Sequence, residues 1–163
     1  MAKPAERSAA RLAAVQALYE MEVGAKGVTD ALAEFEAFWI GQEVEGVSFG
    51  PAETAFFRDV LAGAVREQRA VDARVDAALS AGWPLKRIEA VLRAILRAGA
   101  YELLFRRDVP ARVVITEYVN VAHGFYGEDE PGLVNAVLDA IAREVRGDEL
   151  AARPRPERKR GGQ

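Results

Sequence analysis

Glu6-Arg-Ser-Ala-Ala-Arg-Leu-Ala-Ala-Val-Gln-Ala-Leu-Tyr-Glu20 is the stretch on which the reading of this chain turns. Alanine is abundant in it and β-branched alternation is scarce, so it gives up little side-chain entropy on becoming helical. Arg7 and Arg11 stand four residues apart, which sets two guanidinium groups side by side on one helical surface. An apolar face follows, ending on Ala17-Leu-Tyr19. The paired arginines either meet solvent or grip phosphates, and the rest of the chain has to separate the two.

The same helical texture continues outward. The first helix is expected over about 8–23, with Ser8 as N-cap, Arg7 just outside, and a stop at Gly24 and Gly27. A second opens at Thr29-Asp30 and turns Leu32, Phe35, Phe38 and Trp39 inward, ending near Gly41. Residues 41–50 read as a loop. Pro51 suits the first position of a third helix, whose stripe Phe57, Leu61, Ala64, Gln68, Val71, Val75, Leu79 runs unbroken. Gly82-Trp83-Pro84 divides the chain. A fourth helix over about 85–106 buries Ile88, Val91, Leu92, Ile95, Gly99 and Leu103, and Asp108-Val-Pro110 ends it. A fifth spans about 112–123. A sixth follows Asp129-Glu-Pro131, with Leu133, Val134, Val137, Leu138, Ile141 and Val145 facing in. The expected organisation is one helical domain over 1–147, with subdomains 8–80 and 85–147, and a disordered basic tail over 148–163.

Charge is unevenly placed. The chain of 163 residues carries a net −3, yet residues 1–11 hold +2 and residues 151–163 hold +4, leaving −9 between them. An acidic body with basic ends is not a generic nucleic-acid binder, although its ends are suited to phosphate. Half the residues are apolar, enough for a sizeable core, but no run of 18 apolar residues exists to span a membrane. Lys3-Pro-Ala-Glu-Arg7 lacks the apolar stretch of a secretory signal. There is no cysteine. A cytoplasmic location is expected.

Groups for chemistry are sparse. His123 is the sole histidine, so a transition-metal site of imidazoles or thiolates is nearly excluded, and His123 reads as a helix-terminal residue. Glu128-Asp-Glu130 supplies acidic groups to a helix N-terminus and too few oxygen ligands for a calcium loop. No nucleophile elbow and no phosphate-cradling glycine loop occurs. No catalytic residue, metal or cofactor is expected, which leaves a helical binding protein.

Three segments carry a family resemblance. Ala14-Val-Gln-Ala-Leu-Tyr19 resembles the first-helix signature of the NusB family of bacterial transcription antitermination factors. Tyr101-Glu-Leu-Leu-Phe-Arg-Arg-Asp-Val-Pro110 and Leu133-Val-Asn-Ala-Val-Leu-Asp139 resemble two later motifs of that family, in the right order. The resemblance implies an all-α fold of about six or seven helices in two small bundles packed across each other. It implies binding to boxA-type RNA of nascent ribosomal RNA transcripts, together with NusE, a small-subunit ribosomal protein, in an antitermination complex with RNA polymerase. Some members form homodimers.

The resemblance also assigns residues. Lys3, Arg7 and Arg11 match the family's basic RNA-contacting N-terminus. Tyr19 matches an aromatic position, which either stacks a base or packs under the second helix. Arg106 and Arg107 either extend the phosphate track or answer the helix dipole. Leu133 stands at a position often aromatic, Gly132 where a lysine is found, and Ser8 and Ala9 where further arginines occur, so RNA affinity of the isolated chain should be modest. Glu89 and Asp129 match positions at or near the NusE surface, where acidic groups suit a basic partner; each also reads as a solvated helix-terminal carboxylate. Two other functions fit the same helices: an accessory domain like those preceding the methyltransferase domain of ribosomal RNA cytosine methylases, and an adaptor that binds protein only.

Overall fold

The computed structural model describes residues 4–39, 43–44, 47–48, 51–79 and 88–151. Among them the element order is α1 (Pro4–Gly24), α2 (Val28–Trp39), β1 (Glu43–Val44), β2 (Val47–Ser48), α3 (Pro51–Arg66), α4 (Gln68–Ala78), α5 (Ala90–Phe105), α6 (Ala111–Phe125), α7 (Asp129–Val145) and α8 (Gly147–Ala151). The strands form one short antiparallel ladder, pairing Glu43 with Ser48 and Val44 with Val47. The predominantly helical architecture agrees with the sequence, while the ladder stands where a loop was expected over 41–50.

Helix α5 organises the molecule. Leu92, Ala94 to Leu96 and Ala98 to Leu103 are all buried, so it is covered nearly all round, as a helix apolar on every face must be. It packs against α1, α3 and α4 from the first half of the chain and α6 and α7 from the second. Small residues allow close approach. A Cβ added at Gly63 would fall 2.2 Å from the Tyr101 ring, and one at Gly99 would fall 2.8 Å from a Leu138 methyl.

Several boundaries differ from expectation. Helix α1 begins at Pro4, so Arg7 and Ser8 lie inside it; Ser8 donates its hydroxyl to Glu117 of α6 rather than capping. Proline at a helix's first position has no N–H to satisfy and a fixed φ, which favours that earlier start. The long third helix is two: the chain turns at Glu67, whose φ of −101° and ψ of 21° depart from helix, although its carbonyl still accepts the amide of Val71. The turn brings Val71 and Val75 into the core against α5 and α7 while Gln68 stays exposed. Residues 148–151, expected in the tail, belong to α8, and Leu150 packs on the core. The Gly82-Trp83-Pro84 break and the rest of the basic tail lie outside the described residues.

Arg146 ties the second half together. Its guanidinium is fully buried and donates to the carbonyls of Glu102, Leu103, Arg106 and Val109 at 2.6–3.0 Å. Carbonyls at a helix end run short of partners within the helix, and this one side chain answers two from the last turn of α5, Glu102 and Leu103, and two from the corner that follows. Glu149 does the converse for α6, accepting the Ala111 amide at 2.8 Å. That bond holds the Glu149 carboxyl below its ordinary value.

Candidate nucleic-acid interface

The two arginines of the opening stretch part company inside the fold. Arg11 is 2% exposed and forms a fork with Glu102 of α5, Nε to Oε2 at 2.7 Å and Nη2 to Oε1 at 3.0 Å. Glu102 is fully buried and also accepts the Tyr118 hydroxyl at 2.6 Å. Burial opposes the Arg11 charge, but the bonds and field of Glu102 outweigh it and hold the guanidinium above its usual pKa. Burial, with Glu102 beside it, raises the Tyr118 phenol. Arg11 therefore does not face a ligand. The expectation that it grips phosphate is corrected: its helical face points into the core, and its charge is answered there.

Arg7 stays half-buried at the edge of the same cluster. Its guanidinium carbon stands 4.3 Å from the centre of the Phe56 ring, and its Nε is buried without a hydrogen-bond partner among the described residues. Arg106 reaches the same ring, at 5.0 Å. It is anchored to Asp108 by two bonds of 3.0 and 2.9 Å and to Asp59 by one of 3.0 Å. The bonds from Arg106 depress the Asp108 carboxyl. The structure thus brings Arg7 and Arg106 together over one ring, from the start of α1 and the end of α5. Arg107 is exposed and donates to the Val145 carbonyl at 3.0 Å, so it stands against α7 rather than on the α5 dipole.

The remaining residues divide similarly. Tyr19 and Leu133 are partly buried against the core. Glu89 and Asp129 are exposed, at the starts of α5 and α7. The Tyr126 hydroxyl bonds to Glu89, so the corner between α6 and α7 that carries Asp129 folds back on the start of α5. Lys3 lies outside the described residues.

Sequence reasoning missed the groups that sort these charges. Phe56, Glu102 and Asp59 were not singled out. Glu102 did carry a signal: it is an acid embedded in the apolar run of α5, where only a paired charge is stable. An open groove of about 420 Å³ between α1 and α6 was also missed; Ser8, Gln16, Glu117 and Asn120 line it with the half-exposed Phe125. It combines hydrogen-bonding groups with an aromatic face, Phe125, two helical turns along α6 from the Ser8–Glu117 bond.

Comparisons with known proteins agree with this architecture. A family model described as the NusB family matches residues 8–143. A transcription antitermination protein NusB of Rhodopseudomonas palustris is 62% identical over 148 residues, 91% of this chain and 85% of that protein. One of Nitrobacter hamburgensis is 63% identical over 149 residues, 91% and 93% of the two chains. Among solved structures, T. maritima NusB superposes with a TM-score of 0.74 at 27% identity, covering 89% of this chain and 96% of that one. A structure of antitermination factors NusB and NusE with double-stranded RNA matches at a TM-score of 0.72 and 23% identity, covering 85% and 97%, and speaks for the fold alone.

Proposed function

The chain belongs to the NusB family, and from that premise we propose that it is a non-enzymatic transcription antitermination factor. It binds boxA-type RNA of nascent ribosomal transcripts together with NusE and acts on RNA polymerase through that complex, in the cytoplasm. The observation that carries this is the identity of about three residues in five to antitermination proteins across 91% of the chain.

The chemistry of the surface supports it. Single-stranded RNA is held by cations on phosphates and by aromatic faces and polar groups on splayed bases. Arg7 supplies a cation one residue before Ser8 of the groove, with Lys3 earlier in the sequence and Arg106 over the same Phe56 ring. Phe125 supplies a face for a base. Arg107 extends the cationic edge along α7. Glu89 and Asp129, exposed at one corner, suit a basic ribosomal protein by complementary potential. Tyr19 and Leu133, each partly buried against the core, join this set by their match to the family's RNA-contacting positions.

The test is binding of a short boxA-type RNA across a salt series, with and without NusE. The expected result is tighter binding with NusE. Arg7→Ala should flatten the log–log salt slope by about 0.7, the value of one single-strand phosphate contact. An unchanged slope would remove the start of α1 from the RNA site. Turnover of S-adenosylmethionine on ribosomal RNA would instead favour the methylase-type accessory role.

A further inference from the structure

Phe56 is only 2% exposed, yet three guanidinium carbons stand over its ring: Arg7 at 4.3 Å, Arg11 at 4.8 Å and Arg106 at 5.0 Å. They arrive from three places, the start of α1, its next turn, and the residue closing α5. Their other partners differ. Arg11 is locked inward by Glu102. Arg106 is held from two sides by Asp59 and Asp108, which engage three of its five N–H donors. Arg7 has no ion pair among the described residues, and its Nε bonds to nothing.

A guanidinium lying on an aromatic face is held through its own flat face, which leaves the N–H groups in its plane free to bond elsewhere. Arg7 is a long, rotamer-rich side chain, and without such a contact its charge would sample many positions. Asp108 also attracts it, but only through its field. The ring itself is too deep to touch a ligand.

We propose that Phe56 is a positioning residue for RNA backbone binding: its ring fixes Arg7 beside Arg106, so that the outer edges of both guanidiniums meet phosphates of one strand. Pre-ordering of this kind lowers the entropic cost of binding, and its loss is felt through arginines that Phe56 holds rather than through any contact of its own. The inference rests on the reading of the chain as an RNA-binding protein.

The experiment uses the full chain with NusE and a short single-stranded boxA-type RNA, titrated over a salt series. Phe56→Leu keeps an apolar side chain and removes the ring. It should flatten the salt slope by about 0.7–1.4, one or two phosphate contacts, while NusE binding persists. Phe56→Tyr restores the ring and should recover the parental slope. In an Arg7→Ala background Phe56→Leu should do less, because the two act through one contact. A parental slope in Phe56→Leu overturns the proposal, as does an undiminished effect of Phe56→Leu when Arg7 is already alanine. If Phe56→Leu does not fold, Arg7→Lys decides: the charge remains, the flat stack is lost, and several-fold weaker binding is expected at fixed salt, while parental affinity overturns the proposal. Absence of RNA binding by the parent chain is a different result and overturns the functional reading beneath it.

Discussion

Replacing the Glu102 carboxylate by an amide takes the forked partner from the buried Arg11 guanidinium, leaving it only Glu117 at 3.4 Å, and sets an uncharged oxygen before the Tyr118 hydroxyl. Breaking one side of a buried pair costs about 3–5 kcal/mol. Glu102→Gln should therefore lower unfolding stability by an amount of that order in a denaturant titration. Arg7→Ala, which removes a half-buried cation from a ring face, should cost only about 0.5–1 kcal/mol. Equal costs for the two would contradict the separation of inner and outer arginines. That separation was half legible in the sequence. Spacing placed Arg7 and Arg11 on neighbouring helical positions, but four residues amount to about 400° of turn, so the later arginine is rotated by about 40° from the earlier. Here that rotation carries Arg11 under α5 and α6 while Arg7 keeps to the rim. Which side of the rim each falls on depends on Glu102, 91 residues away, and no local pattern reports that.

Helices α3 and α5 meet where Gly63 faces Tyr101. A Cβ at 2.2 Å from a ring carbon cannot be accommodated without moving the ring or the helix, and overpacking of this kind costs about 1–3 kcal/mol. Gly63→Ala should lower the denaturant midpoint accordingly. It should also weaken the Tyr101 bond to Asp59, and with it the anchoring of Arg106; an unchanged midpoint would mean the helices separate freely. The presence of most helices was legible from apolar periodicity, since Phe57, Leu61, Ala64, Val71 and Val75 are all buried as that pattern demands. The turn at Glu67 was not, because neither glycine nor proline marks it and the stripe runs straight through. The turn follows from packing against α5 and α7, which a sequence window does not contain. Helix α8 escaped notice for a similar reason: five residues have little helical tendency of their own, and Arg146 and Glu149 fix them by bonds to distant backbone.

Among the described residues, four carboxylates are held below their ordinary pKa: Glu22 by Arg93, Glu36 by Arg58, Asp108 by Arg106 and Glu149 by the Ala111 amide. Each prefers the ionised form more when folded than when unfolded, so its contribution is present above the unfolded pKa and disappears as pH falls through the folded one. The melting temperature should hold from neutral pH to about 5 and fall once pH passes below about 4, the usual carboxylate range. Glu149→Gln should make that fall shallower; a melting temperature that rises on acidification would contradict the assignment. The acidic balance and its basic ends were plain in the composition, whereas these pairings were not, because most join residues far apart in sequence. Arg11 meets Glu102, and the α5 carbonyls meet Arg146. On a ribosome the chain grows from its amino end and domains close as units. The first helix thus leaves the exit tunnel with a charge whose partner has yet to be translated, and the corner after α5 waits longer still for the side chain that seals it. Emergence of Arg146 precedes closure of the core around α5, so the rim bearing Arg7 and Arg106 is completed only after most of these helices have been made.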